Sequence, residues 1–430
     1  MSTPAQTGVH AVEQTLFFTL LQLIVIIIAA RLAGEAARRM GQPRAVGEMV
    51  AGLVLGPSLF GQLFPGLSDI LFHSTSPMPV SIISQIGLIL LMFQIGMDFD
   101  FSHLNDKKNR RAVSWISIFC IGLPFGLGIA IGKLSAPYLA PGIPVLPYSL
   151  FVGTALAITA VPILGRIMAE YDLTQTKIGA IAISSAAIND VVGWLLLALI
   201  SALGASRFSF TGTLTQLVML ALYVVVSWWV VRPVLQRLVR RFMPATGDLP
   251  GNLLAVMLAT VFISSMCTYK IGIFAIFGGF MMGVLVHDLP QFTAAWKRSV
   301  GSFVVVFFLP IFFTYTGLRT NIAGLDSASL WNWCALLMAA AVIGKVGGAW
   351  LGARMAGLSQ EQSSIIGVLM NTRALMELIV LNVGYDMGFL PHSVFTMLVI
   401  MAIGTTIMTG PALRSQLPRI GHAVPIGIDA

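Results

Sequence analysis

From Leu16 onward, apolar stretches long enough to cross a bilayer recur between short polar breaks, and this repetition constrains the chain more than any single motif. Lipid offers backbone amides no partner, so spanning segments of this length must be helices that satisfy their own hydrogen bonds. Hydrophobic residues are 57% of the 430 and charged residues 10%, which describes an all-α polytopic membrane protein. The polar breaks are short, so a soluble domain of roughly 100 residues, and with it a regulatory nucleotide-binding domain, is expected to be absent. No Lys or Arg precedes Arg31, and LFFTLLQLIVIIIAA exceeds a usual signal core, so the first apolar run reads as a retained span.

The pattern predicts about thirteen transmembrane helices, at about 13–33, 44–61, 78–98, 112–133, 146–170, 176–204, 211–236, 251–270, 272–287, 300–320, 328–354, 360–385 and 392–413. Basic residues provide an independent check. One side of the membrane receives Arg38, Arg39, Arg44, Lys107, Lys108, Arg110, Arg111, Arg237, Arg240, Arg241, Lys297 and Arg298 among others, whereas the other receives only Lys133, Arg207, Lys270 and Arg319. That asymmetry places the N-terminus outside and the C-terminus in the cytoplasm. Loop charge also accounts for the net charge of +8 without nucleic acid as a partner. Cys120, Cys267 and Cys334 lie in apolar segments at no metal-binding or redox spacing and read as small core residues.

The second half of the chain echoes the first. GEMVAGLVLG resembles FGGFMMGVLV, FQIGMDFDF resembles TYTGLRTNI, and GTALAITAVP resembles GVLMNTRAL, each match joining spans seven apart. An odd offset inverts the second copy, giving an inverted-topology repeat. The chain then reads as one transport domain, with repeat one at about 13–204, a linker helix at about 211–236 and repeat two at about 251–413.

Asp190 is the outstanding residue, alone as a carboxylate in ISSAAINDVVGWLLLALISAL. An Asp at a helix centre is unfavourable by about 2.5 to 3.5 kcal/mol, and such residues usually mark an ion or proton pathway. Asn189 adds a polar group that is either an oxygen ligand or packing glue. In span five, Pro162 removes an amide and frees the carbonyl of Ile158, so the helix is kinked or broken beside Thr159, whose hydroxyl suits a hard cation. Asp190 and Thr159 are therefore the candidate ligands for a monovalent metal ion. Asn371, Thr372 and Arg373 form the corresponding interruption in repeat two, and paired interruptions point to a midplane site. Lys345, in AAVIGKVGGAW, is expected to partner the Asn189 and Asp190 region, or else to form a structural ion pair. Arg373 and Glu377, four apart on one face, suit an architectural pair. Glu48, near a span end, reads as a snorkelling or capping residue. No HExxH, phosphate-binding loop, aspartyl pair or TVGYG-like filter is present, which argues against a protease, an ATP-driven pump and a potassium channel.

With these residues in place, the sequence resembles the monovalent cation/proton antiporters of the cation/proton antiporter-2 superfamily, most nearly the Kef-type bacterial transporters and the plant cation/proton exchangers. QPRAVGEMVAGLVLGPSLFG, ALAITAVPILGRIMAEYDLTQTKIG, INDVVGWLLLALI, GLRTNI, the GK of IGKVGG and LMNTRALMELIVLNVG carry the resemblance over almost the whole chain. It implies a homodimer of thirteen-helix protomers in a bacterial inner membrane, each with a dimerisation region and a six-helix core built around crossed, broken helices five and twelve, the sodium/proton antiporter-like fold, the core moving in an elevator-like way. It makes Asp190 the cation- and proton-binding aspartate, Thr159 the polar residue of the first break, Lys345 the core lysine, and Asn371 to Arg373 the second break. Asn189 stands where two-aspartate members have a second Asp, so one proton exchanged for one potassium or sodium ion is the simplest expectation. No cofactor and no enzymatic activity are implied, and regulation would fall to pH, ions or a separate subunit. A cation channel, or a sodium-coupled organic anion symporter with Arg373 as the anion partner, are the alternatives.

Overall fold

The computed structural model describes residues 4–74, 76–97, 109–174, 176–205, 210–244, 248–373 and 375–422. Lys107, Lys108 and Arg207 lie outside the described residues. All regular structure among the described residues is helical. In chain order the principal helices are α1 (Pro4–Arg39), α2 (Arg44–Leu55), α3 (Met78–Met97), α4 (Arg110–Leu139), α5 (Val145–Ala157), α6 (Val161–Glu170), α7 (Lys177–Ala205), α8 (Phe210–Val226), α9 (Arg232–Phe242), α10 (Gly251–Ile271), α11 (Ala275–Leu285), α12 (Leu309–Leu318), α13 (Ala328–Val342), α14 (Gly348–Met355), α15 (Gln360–Met370), α16 (Leu375–Asp386) and α17 (His392–Gln416).

Among the described residues, ten helices can cross a bilayer by length and composition, or eleven if the bent pair α15 and α16 is one span. The expected count of thirteen differs for a physical reason. Span five is divided into α5 and α6, and span nine is only the eleven residues of α11, about 16 Å of helix against a hydrocarbon layer of about 30 Å.

The helices group into two bodies. α1, α2, α3, α10, α11 and α12 pack together; α4 to α7 and α13 to α17 form the other, while α8 borders both and α9 lies against α10 of the first. Glycine decides how closely the first body packs. Gly52 of α2 and Gly317 of α12 meet backbone to backbone, and a methyl group at either would overlap the main chain opposite. Gly96 of α3 and Gly283 of α11 do the same. These four glycines come from the echoed segments, so the two contacts are the two copies of one repeat-related interface.

Two small expectations change. Cys267 is exposed on α10, whereas Cys120 and Cys334 are buried. Glu48 does not snorkel: it is buried beside Gly34 of α1, with Arg31 4.0 Å away.

Candidate functional site

The site begins where two helices stop. α5 ends at Ala157 because Ile158 turns extended (φ −74°, ψ 145°), and helix resumes at Val161. Pro162 is thus the second residue of α6, where a missing amide removes a group that no helix carbonyl would accept. It begins the second half-helix rather than kinking one continuous span, and the carbonyls set free are those of the last turn of α5. α15 ends at Met370, and α16 begins at Leu375. The two breaks touch: the Ala160 amide donates to the Thr372 carbonyl at 3.2 Å, and the Thr159 hydroxyl donates to the Met370 carbonyl at 3.3 Å. Thr159 and Thr372 occupy equivalent places, each two residues beyond its half-helix.

Half-helices ending inside the protein leave carbonyls unpaired and the negative end of a dipole exposed. Buried cations answer both needs at the end of α5. The Arg373 guanidinium donates to the carbonyls of Ala155 (2.7 Å), Leu156 (2.7 Å) and Ala341 (3.2 Å). The Lys345 ammonium donates to the carbonyls of Ala157 and Cys120, the latter at 3.2 Å. Lys345 projects from a π-helical turn, Ile343–Gly347, between α13 and α14, the kind of local widening that recurs at functional sites. Glu377 pairs with Arg373 at 3.6 Å, both wholly buried. Asn371 donates its side-chain amide to the Thr405 carbonyl at 3.3 Å, and the Thr372 hydroxyl is buried without a hydrogen-bond partner.

Asp190 and Asn189 lie midway along α7, against the first break. The Asn189 amide donates to the Thr159 hydroxyl at 3.0 Å and approaches the Cys120 sulfur at 3.5 Å. Cys120 therefore touches Asn189 through its sulfur and Lys345 through its carbonyl. Lys345 makes no direct ion pair with Asp190 among the described residues. Asp190 is 2% exposed and lines the same cavity as Val161 at the start of α6, and its Oδ1 has no hydrogen-bond partner among the described residues. A cavity of about 390 Å³ reaches this carboxylate between the two bodies. Val161 and Ile183 form part of one wall, and Leu91, Ile95 and Phe313 part of the other. It lies toward the ends of the helices that carry the basic loops.

At the opposite end the bodies are joined by polar contacts that the sequence reading missed. Arg319, just past α12, bonds to Asp386 at 2.6 Å, to the Asn382 carbonyl oxygen at 3.3 Å and to the Tyr315 hydroxyl, while Asn382 donates to Thr316 at 2.8 Å. Arg319 had read only as a loop charge. The signal available was its place one turn from Tyr315 and at the same membrane depth as Asp386.

Comparisons with known proteins agree with this architecture. The family described as sodium/hydrogen exchanger, transmembrane, matches residues 23–417. The Na+/H+ antiporter NhaS4 of Synechocystis sp. is 37% identical over 414 residues, 95% of this chain and 99% of that protein. Cation/H+ antiporter 17 of Arabidopsis thaliana is 36% identical over 406 residues, 94% of this chain but 49% of its own, so the chain spans about half of that relative. The solved structure of the sodium proton antiporter MjNhaP1 from Methanocaldococcus jannaschii superposes with a TM-score of 0.68 at 16% identity, covering 95% of this chain and 99% of the other, a likeness of fold.

Proposed function

The chain belongs to the transmembrane sodium/hydrogen exchanger family, and we propose that it exchanges potassium or sodium ions for protons with Asp190 holding either one. It is an integral membrane cation/proton antiporter and not an enzyme. The observation that carries the reading is the buried carboxylate of Asp190, with one oxygen unpartnered among the described residues, at a cavity and against a broken helix.

The chemistry follows from charge. Protonated Asp190 is neutral; ionised Asp190 with a monovalent cation is also neutral. Both loaded states therefore carry the same charge through the membrane, and one-for-one exchange is electroneutral. Lys345 and Arg373 remain on main-chain carbonyls in both states, so they stabilise the broken helix without entering the stoichiometry. Asn189 completes the ligand set through its side-chain oxygen, which is buried and unpartnered, and Thr159 holds Asn189 in place. Motion of the second body against the first, in a homodimer, would carry the site between faces. With the basic loops cytoplasmic, the cavity faces the cytoplasm.

Little favours the symporter alternative. An organic anion would need a cation in the cavity, and the polar side chains lining it among the described residues are Gln94 and Asp190. In proteoliposomes loaded with a quenched pH dye, adding sodium, potassium, rubidium or lithium should restore fluorescence in a saturable way for the transported ions. The rate should not follow an imposed membrane potential; a clear dependence contradicts the one-for-one scheme, and large currents would mark a channel.

A further inference from the structure

We propose that Gln94 is a specificity-determining residue, supplying an amide oxygen to the cation at Asp190 on one face of the membrane only. The inference rests on Asp190 as the exchanging carboxylate. Three observations carry it. Among the described residues, Gln94 and Asp190 are the polar side chains of a lining otherwise formed by Ala, Val, Leu, Ile, Phe and Gly residues. Gln94 Oε1 is buried with no hydrogen-bond partner, and Asp190 Oδ1 shares that condition in the same cavity. Gly301 leaves the amide room, since a Cβ there would lie 3.2 Å from Gln94 Oε1.

A small cation entering this cavity exchanges hydration for protein oxygens, and neutral carbonyl dipoles are ligands for that purpose. A glutamine provides one without altering the charge of the site, so one-for-one exchange is preserved. A proton on Asp190 needs no such ligand. Gln94 therefore raises cation occupancy relative to proton occupancy, which a second carboxylate could do only by adding charge.

The side-dependence comes from the architecture. Gln94 stands on α3 of the first body, and Asp190 on α7 of the second. Movement of one body against the other separates them, so the amide contributes when the site communicates with the cavity and not when it communicates with the opposite face. The two faces of the transporter then differ in cation affinity although Asp190 is common to both.

The test is the ratio of half-saturating cation concentrations at the two faces, measured in uniformly oriented proteoliposomes with sodium and potassium as probes. Gln94→Leu should raise this ratio, cavity face over opposite face, by about tenfold, the effect of losing one charge-assisted contact. Gln94→Asn, which keeps the amide on a shorter stem, should give an intermediate ratio and serves if the leucine variant does not fold. Gln94→Glu should make exchange sensitive to membrane potential, a readout that a purely structural glutamine would not move. An unchanged ratio in Gln94→Leu, or in Gln94→Asn where that variant alone folds, overturns the inference. Asp190→Asn is run in parallel: if it is inactive while the Gln94 ratio is unchanged, only the glutamine assignment falls, and if it still exchanges, the underlying assignment of Asp190 falls.

Discussion

Arg373 and Lys345 lie wholly buried, with the Arg373 Nη1 and Nη2 and the Lys345 ammonium donating to main-chain carbonyls, which determines what their replacement does. Removing Arg373 leaves Glu377 as an unpaired buried charge and exposes two carbonyls of α5, so Arg373→Leu should destabilise the protein by about 3 to 5 kcal/mol. Lys345→Met loses charge-assisted bonds to two carbonyls and should lose about 1.5 to 3 kcal/mol. Thermal unfolding in detergent checks the order; equal melting temperatures for both variants and the parent would contradict it. The Arg373 and Glu377 pair was legible in sequence because four-residue spacing is a local property of a helix. Their carbonyl partners were not, since Ala155 to Ala157 come from the other repeat and only the crossing of the two breaks brings them there. Gln94 was missed for a related reason. One glutamine in LILLMFQIGM reads as packing glue until a cavity shows what lies opposite.

Between elements, the close helix pairs and the polar join at the far end make separate predictions. Gly317→Leu would drive a side chain into the backbone of α2, where no flexible group can give way. It should lower the yield of folded protein severalfold in size-exclusion chromatography, more than the same change at Gly122, which has open space around it. Equal yields would contradict the close-contact account. Arg319 ties α12 to α16 through Asp386 and Asn382, across the two bodies and away from the cavity. Arg319→Ala should therefore increase thiol labelling of a cysteine placed at Thr316, and an unchanged labelling rate would show that this join does not hold the far side shut. The echoes in sequence identified which elements correspond. They could not say that span five is two helices meeting at an extended Ile158, because Pro162 fits either a kinked helix or the first turn of a new one.

At the scale of the whole molecule, apolar periodicity made the all-helical membrane fold legible, and the repeat made its inversion legible. The division into two bodies was not legible in the span pattern, because it depends on which faces pack rather than on where spans lie; only the resemblance implied it, as a dimerisation region and a six-helix core. Competition between ions gives the pH behaviour of the complete transporter. Protons and cations seek the same carboxylate, so the half-saturating cation concentration should rise as pH falls, by up to about tenfold per unit below the pH at which Asp190 ionises. A half-saturation independent of pH would argue for separate sites. The most direct measurement is cation-driven proton movement in proteoliposomes bearing Asp190→Asn, with folding confirmed by an unchanged melting profile or elution volume. Exchange by single occupancy of Asp190 requires that sodium and potassium pulses then move no protons, whereas exchange persisting near the parent rate would contradict it.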